Sequence, residues 1–449
     1  MKNNLVVSPI NKLFKKNTNN VILGKWYNKT NFDKKFKINL SKFNFYSTSR
    51  KRSTYKFLKK KYNQKINEFV FFLNKIHNLN EDRRYWEIII GPFVYRSLII
   101  IWDRWDSIRK SIKYENITNI TLIDNDFTKI LPKNNFELNQ NISNIYINHF
   151  LYSEAFKELK NNNIKISYLK SEKINIKKLD TIKVRFSRKI FNFIFRFLRK
   201  DQKFLFYNSY IPYKENILLN LKLGNFPSYP DEFEKSFFKN KKANLKIRSG
   251  KFFKKSADKF DNFYNKVILK LIPFSYIEDF KEIKDYVENI QLNPKIAFTA
   301  VGHLSNDVYK IWTASRLNKG LKLIASDHGG NLEETRDFFS NRIYDRFIQW
   351  QKTSFKRVVQ LPPNIFLGDK KTIIRERKNK ILFILTCTDF FKSNIFDRDK
   401  NDYDDYLNFK KLILDANFKN SEEFFFKIHP SSPFKDLIIE DISKSFGKE

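Results

Sequence analysis

The stretch KLIASDHGGNLEET, residues 322–335, places a histidine, two glycines and two glutamates together, residue types that could do chemistry. An apolar run with strand character ends at Asp327-His328. Two adjacent glycines follow in a chain that has only ten, and then the acids Glu333, Glu334 and Asp337. An imidazole exchanges a proton near neutral pH. Gly329 and Gly330 would let a substrate or phosphate approach the backbone and would expose N–H donors. Glu333 and Glu334 could start the following helix, and one of them could act as general base on an acceptor hydroxyl. The same residues read equally well as a tight turn, followed by acids that favour the positive end of a helix.

A second cluster is KIHPSSP, residues 427–433, again directly after an apolar run. Lys427 and His429 supply cationic donors, Pro430 stiffens the turn, and Ser431 and Ser432 supply hydroxyls. That set suits a diphosphate or a nucleotide phosphate, although any junction of strand and loop can hold such residues. Of the other three histidines, His77 falls near a helix end and His149 near a helix start, which are structural or surface positions. His303, after TAVG, is split between a loop role and the same crevice as His328.

Several chemistries are excluded by what the sequence lacks. It has no GxxxxGK[ST] phosphate loop, no GxGxxG, no HExxH and no GxSxG elbow. Cys387 is the only cysteine, so an internal disulfide framework and a multi-cysteine metal site are both ruled out.

The elements that must position these residues alternate most regularly after 290. KIAFTAVG reads as strand, NDVYKIWTASRLNKG as helix stopped by Gly320, and LKLIASD and DRFIQW as strands. NKILFILT, a helix within DYLNFKKLILDAN, and EFFFKIHP continue the pattern. Strands alternating with helices predict parallel sheets, with ligands beyond the strand carboxyl ends. Towards the N-terminus, NLVVS, NVILG and NITLID read as strands, and residues 63–79 and 148–162 as helices. Residues 28–62 look like a basic surface insertion, KFLFYNSYI (203–211) like a strand, and 187–200 like a basic amphipathic helix. A helix starting near Glu81-Asp82, with Asn80 as its cap, is expected to bend or break at Gly91-Pro92.

The 449 residues fit two domains better than one, and 41% hydrophobic content rules out a wholly disordered chain. Subtracting 48 acidic from 86 basic residues gives +38, which favours anionic partners such as nucleic acid, anionic lipid or phosphorylated ligands. The lysines are dispersed among Asn, Ile and Phe, the residues of AT-rich codons, so genomic drift accounts for most of the charge. The most apolar run, IIIGPFVYRSLIII (88–101), is interrupted and shorter than the ~20 residues of a bilayer span, so it reads as core. No signal-peptide pattern opens the chain, and a cytoplasmic protein is expected.

Beyond these patterns, ILGKW (22–26), FLNKIHNLNEDRRYWEIIIGPFVY (72–95), IWDRWDSI (101–108), INHFLY (147–152), SDHGG (326–330) and YDRFIQW (344–350) together resemble a family of transferases encoded in bacterial O-antigen and surface-polysaccharide gene clusters. The wider kinship resembles the GT-B glycosyltransferases, near the capsule Kdo transferases, polysialyltransferases and glycerophosphate polymerases. The resemblance implies an α/β fold of two Rossmann-like domains in a GT-B-like arrangement. Residues 1–365 would be the acceptor-side domain with helical insertions, and 366–449 a nucleotide-donor domain. Only about two donor-domain strands fit before residue 449, against the five or six usual in such a sheet, so a shortened domain with weak activity of its own is expected.

It further implies a nucleotide-sugar donor, a glycan or lipid-linked glycan acceptor, no cofactor and no metal. A peripheral contact with the inner face of the plasma membrane is compatible with it, and specific nucleic-acid binding is not expected. Asp327, His328, Gly329 and Gly330 would lie at the acceptor side of the cleft, with Glu333, Glu334 or Asp337 as base. Lys427, His429, Pro430, Ser431 and Ser432 would hold the donor phosphates. Arg83, Arg84, Trp86, Asp103 and Arg104 either frame the acceptor side or form a buried aromatic and ion-pair network. Asp327 stands where the family usually has glutamine, Leu332-Glu333 where it has an aromatic-glycine pair, and Gln351 where it has glycine. A non-catalytic basic protein that binds nucleic acid or the anionic membrane surface is the alternative.

Overall fold

The computed structural model describes residues 2–24, 26, 35–44, 47–124, 126–159, 163–170, 202–227, 229–237, 242–249, 252–328, 338–339, 341–351, 356–368, 380–387, 390–391, 393–394, 401–415 and 423–446. The strands are β1 (Asn3–Val6), β2 (Asn19–Ile22), β3 (Lys37–Leu40), β4 (Ile117–Asp124), β5 (Lys165–Lys170), β6 (Phe204–Phe206), β7 (Ile296–Thr299), β8 (Lys322–Ser326), β9 (Arg346–Gln349), β10 (Val358–Gln360), β11 (Lys380–Ile384) and β12 (Glu423–Lys427). The principal helices are α1 (Thr48–His77), α2 (Arg83–Tyr114), α3 (Ile145–Leu159), α4 (Tyr213–Lys222), α5 (Lys259–Ile268), α6 (Phe280–Glu288), α7 (Asp307–Leu317), α8 (Asp402–Asp415) and α9 (Lys435–Phe446).

The strands form three sheets, parallel throughout, in an α/β architecture. The first runs β3-β2-β1-β4-β5, so its order reverses between β1 and β4. The second runs β10-β9-β8-β7-β6, each strand beside its sequence neighbour. The third pairs β11 with β12. One continuous core joins the first two sheets, whereas Leu385, Tyr403, Tyr406, Phe434 and Ile438 form a separate small core under the third. Phe390 packs against both cores.

α2 is the central post of the larger body and packs on α1, α3, α5 and α7. It is long and apolar enough to cross a membrane, but 89% of its most apolar window is buried inside the fold. The expected break at Gly91-Pro92 does not occur, because the helix runs unbroken across Pro92. Gly91 is where the Tyr62 hydroxyl approaches, and a Cβ there would lie 2.9 Å from that oxygen. The cap of α2 is Asp82 rather than Asn80, with its carboxylate accepting from the Tyr85 N–H at 2.8 Å.

Residues 28–62 are a second correction, since they supply β3 and the first half of α1. Of its lysines, Lys56 and Lys60 are exposed, but Lys61 and, one turn further on, Lys65 turn inward. Lys61 reaches Asp258 at 2.5 Å and Asp261 at 2.7 Å on and beside α5, and the fully buried Lys65 donates to Asn265 at 2.9 Å. The strand expected over 203–211 ends at Phe206, and the basic helix expected over 187–200 lies outside the described residues.

Candidate functional site

Because each sheet is parallel, all its strands end on one edge, and that edge is where an α/β fold presents ligand-binding groups. The three edges differ in what occupies them.

At the first sheet, the reversal between β1 and β4 is filled by a side chain. The Ile123 N–H donates to His149 Nε2 at 2.9 Å, and the Ser8 hydroxyl lies 2.9 Å from His149 Nδ1. A backbone N–H can only donate, so Nε2 is unprotonated and the proton sits on Nδ1, where it is given to Ser8. Burial lowers this imidazole to a pKa of about 4, with the charge of Lys157 adding to the effect. Beside it, Arg104 gives two N–H groups to Asn148 Oδ1 (3.0 and 2.6 Å) and one to Asp103 (2.9 Å). Its guanidinium lies 5.8 Å from the Tyr152 ring and 5.6 Å from Phe391. Gly24, just beyond β2 at φ +113, leaves room for Trp26 and Phe391, which a Cβ would meet at 2.4 and 3.2 Å. The segments 22–26, 101–108 and 147–152 thus meet in one packed knot.

The second sheet presents the DHGG stretch. Asp327 is mostly buried, and its N–H donates to Ile348 O at 2.7 Å. His328 is exposed, and its ring centroid lies 4.1 Å from that of Tyr210 at an interplanar angle of 67°. Gly329, Gly330, Glu333, Glu334 and Asp337 lie outside the described residues. The loop after β6 closes over this edge. Asn208 O accepts from Ala300 N at 3.0 Å. Asn364 uses both amide hydrogens here, on Ser209 O (2.8 Å) and on the Ser326 hydroxyl (2.7 Å). Neither Tyr210 nor Asn364 stood out in the sequence. The only signal was a short polar run, NSY, after an apolar one, in a chain where asparagine is common.

At the third sheet, Lys427 closes β12 and His429, Pro430 and Ser431 follow it, all four exposed. The Ser431 N–H donates to His429 Nδ1 at 3.2 Å, so a neutral His429 carries its proton on Nε2 and presents a donor. Ser432 faces inward instead. Its hydroxyl donates to the buried Asp402 and accepts from Phe434 N at 3.2 Å, so it shapes the turn that opens α9. No hydrogen bond, ion pair or ring contact among the described residues joins His429 to His328.

The arginine and tryptophan candidates of α2 are placed elsewhere. Trp86 is fully buried, donates to Asn74 Oδ1 at 2.7 Å, and lies 6.0 Å from His77 in a stack. Arg84 donates to Ile343 O (2.9 Å) and Asp345 Oδ2 (3.0 Å), and that carboxylate also accepts from Leu323 N. Asp345 precedes β9, so Arg84 lies at the amino edge of the second sheet, opposite His328. Arg83 and Arg342 converge on the buried Glu87, which also accepts from the Tyr62 hydroxyl at 3.0 Å.

Two further histidines serve packing, His77 half-buried and His303 buried. His77 bonds to Tyr276 O at 2.9 Å, and burial brings it to about 4. His303 lies edge-on to Tyr344 at 5.0 Å, and burial brings it to about 3. Among the described residues, no three His, Cys, Asp or Glu side chains group in a way that could hold a metal ion.

Compared with known protein families, the chain matches the LIC12162 family transferase over residues 3–445, nearly its whole length. A search of curated proteins and a search of solved structures each found no match.

Proposed function

The chain belongs to the LIC12162 family of transferases, and from that membership we propose that it moves a sugar or related group from a nucleotide-activated donor to a hydroxyl of a surface-polysaccharide acceptor. One observation carries the reading. Two of the five histidines, His149 and His303, are buried, His77 is half-buried in a packing role, and the two that are exposed, His328 and His429, each stand just beyond a parallel strand.

In this reading the acceptor hydroxyl sits at His328. Its oxygen bonds to the transferred group while the bond from that group to the donor's terminal phosphate oxygen breaks. The hydroxyl proton passes to the His328 imidazole or to one of Glu333, Glu334 and Asp337. The nucleotide leaves with the bonding electron pair, and its added negative charge is met by Lys427 and the Nε2–H of His429. The Lys427 ammonium and the His429 N–H do the work of a metal ion in this scheme, so transfer should survive EDTA. The acceptor side is assigned to residues 1–365 and the donor side to 366–449.

The experiment is a thermal-shift panel with CMP, CDP, UDP and GDP, followed by transfer assays with sugars carried on whichever nucleotide stabilises the chain. His429→Ala should abolish the nucleotide-dependent shift. A shift that is the same in His429→Ala as in the parent would overturn the donor assignment, and undiminished transfer by His328→Ala would overturn the acceptor assignment.

A further inference from the structure

We propose that Tyr210 is a substrate-contacting residue, whose ring stacks on the sugar ring of the acceptor and so delivers the acceptor hydroxyl to His328. The proposal rests on the transferase reading of the His328 edge and names the ligand chemistry of that edge.

Backbone conformation provides the first observation. Five non-glycine residues have positive φ among the described residues, and four of them, Asn17, Asn78, Asn116 and Asn208, are asparagines. Asparagine tolerates the left-handed region because its short side chain bonds locally. The fifth is Tyr210, at φ 57, a bulky aromatic for which that region is a genuine outlier. Burial does not compensate for it, since the residue is 49% exposed. Its hydroxyl makes no hydrogen bond among the described residues.

The surroundings, by contrast, determine this conformation from several sides. Asn364 ties Ser209 O to the end of β8 through Ser326. Asn216, on α4, donates to the Ser209 hydroxyl at 3.2 Å, and the same oxygen accepts from Ile211 N at 3.3 Å. Asn208, itself left-handed, is tied to Ala300 beyond β7. A strained residue fixed by three neighbouring elements, with its side chain left in solvent, has the signature of a functional constraint.

Placement supplies the chemistry. Tyr210 lies 4.1 Å from the His328 ring. An aromatic face is electron-rich, and the C–H groups on one face of a pyranose are weakly positive, so the two stack without needing a charged group. Stacking one face of the sugar fixes the direction of its hydroxyls, which is what an acceptor needs before its oxygen can attack.

The test uses the full chain and the variants Tyr210→Gly, Tyr210→Phe and His328→Ala. Glycine adopts positive φ freely, so Tyr210→Gly should melt no lower than the parent. Saturation-transfer NMR with glucose, galactose, N-acetylglucosamine and rhamnose should show binding of at least one sugar by the parent and Tyr210→Phe. That signal should be lost in Tyr210→Gly and kept in His328→Ala. A lower Tm for Tyr210→Gly would make the ring a packing element and overturn the proposal. So would an unchanged sugar signal in that variant, or no signal from the parent. If nucleotides rather than sugars receive saturation in a Tyr210-dependent way, the acceptor assignment is overturned in favour of a base-stacking role. Should His328→Ala transfer at the parent's rate while Tyr210→Gly loses sugar binding, the catalytic reading of this edge fails and the Tyr210 contact stands.

Discussion

His149→Gln separates a buried hydrogen bond from a buried titration. In the fold the imidazole accepts from Ile123 N and donates to Ser8, both at 2.9 Å. A glutamine amide offers one acceptor and one donor side in a side chain of similar reach, and it does not titrate. The wild-type ring has its pKa lowered from 6.5 to about 4 by burial. The unfolded chain therefore binds more protons than the folded one between those two values. Stability that is present above 6.5 is lost progressively as the pH falls towards 4. Going from pH 7 to pH 5, this one group should remove about 2 kcal/mol of stability.

The assay is urea unfolding of the parent and His149→Gln at both pH values, with the slope m compared to confirm that the same surface is exposed. His77 and His303 are also shifted down by desolvation, but they contribute equally to both proteins and cancel in the difference. His149→Gln should cost ~1 kcal/mol at pH 7 from imperfect geometry and should lose about 2 kcal/mol less than the parent on acidification. Identical pH dependence in the two proteins would refute the reasoning. It would mean either that His149 is protonated in the fold, or that Ile123 N has another partner.

Two further perturbations probe neighbouring edges. Gly24→Ala places a Cβ 2.4 Å from Trp26 at a backbone angle that L-residues rarely adopt, so it should cost about 2 kcal/mol and lower the urea midpoint. Ser432→Ala leaves the buried Asp402 carboxylate without its hydroxyl donor and should destabilise the third-sheet unit by about 2 kcal/mol. The exposed His429→Ala should leave stability unchanged while removing the nucleotide-dependent thermal shift, and the reverse ranking would exchange the roles of these two residues.

What the sequence revealed followed the burial pattern closely. β7, β8 and β9 were legible because they are short, largely apolar and mostly buried runs between polar turns, and α7 because a capping Asn306 opens it and Gly320 follows its end. β3 and β5 are edge strands whose residues are largely exposed or half-buried, and KINL and KISYLK therefore lacked the pattern. The first half of α1 was hidden by its own lysines. A buried lysine looks like a surface one until the acids that pair with it, here Asp258 and Asp261 from about 200 positions away, are brought alongside. The break expected at Pro92 is absent for a similar reason, since a helix held by packing partners around its middle can continue across a proline that would end an isolated one.

The site residues divide along the same line. The position of His328 and His429 beyond strands is a local fact, and the sequence carried it. What a side chain does at a carboxyl edge is a tertiary fact, and it was not legible. The first sheet has the order reversal that in open α/β folds usually receives a ligand, yet its reversal point is filled by His149 and roofed by the knot of Arg104, Trp26 and Phe391. Several segments that made the chain resemble a transferase family therefore serve to close that edge and not to open it. The second sheet has no reversal, but it leaves His328 and a strained Tyr210 exposed. A buried imidazole that accepts a backbone N–H has no lone pair left for an acceptor hydroxyl, whereas His328 keeps both ring nitrogens free of side-chain partners among the described residues. On that physical ground, and not on strand order, the proposed acceptor chemistry is placed at the second edge.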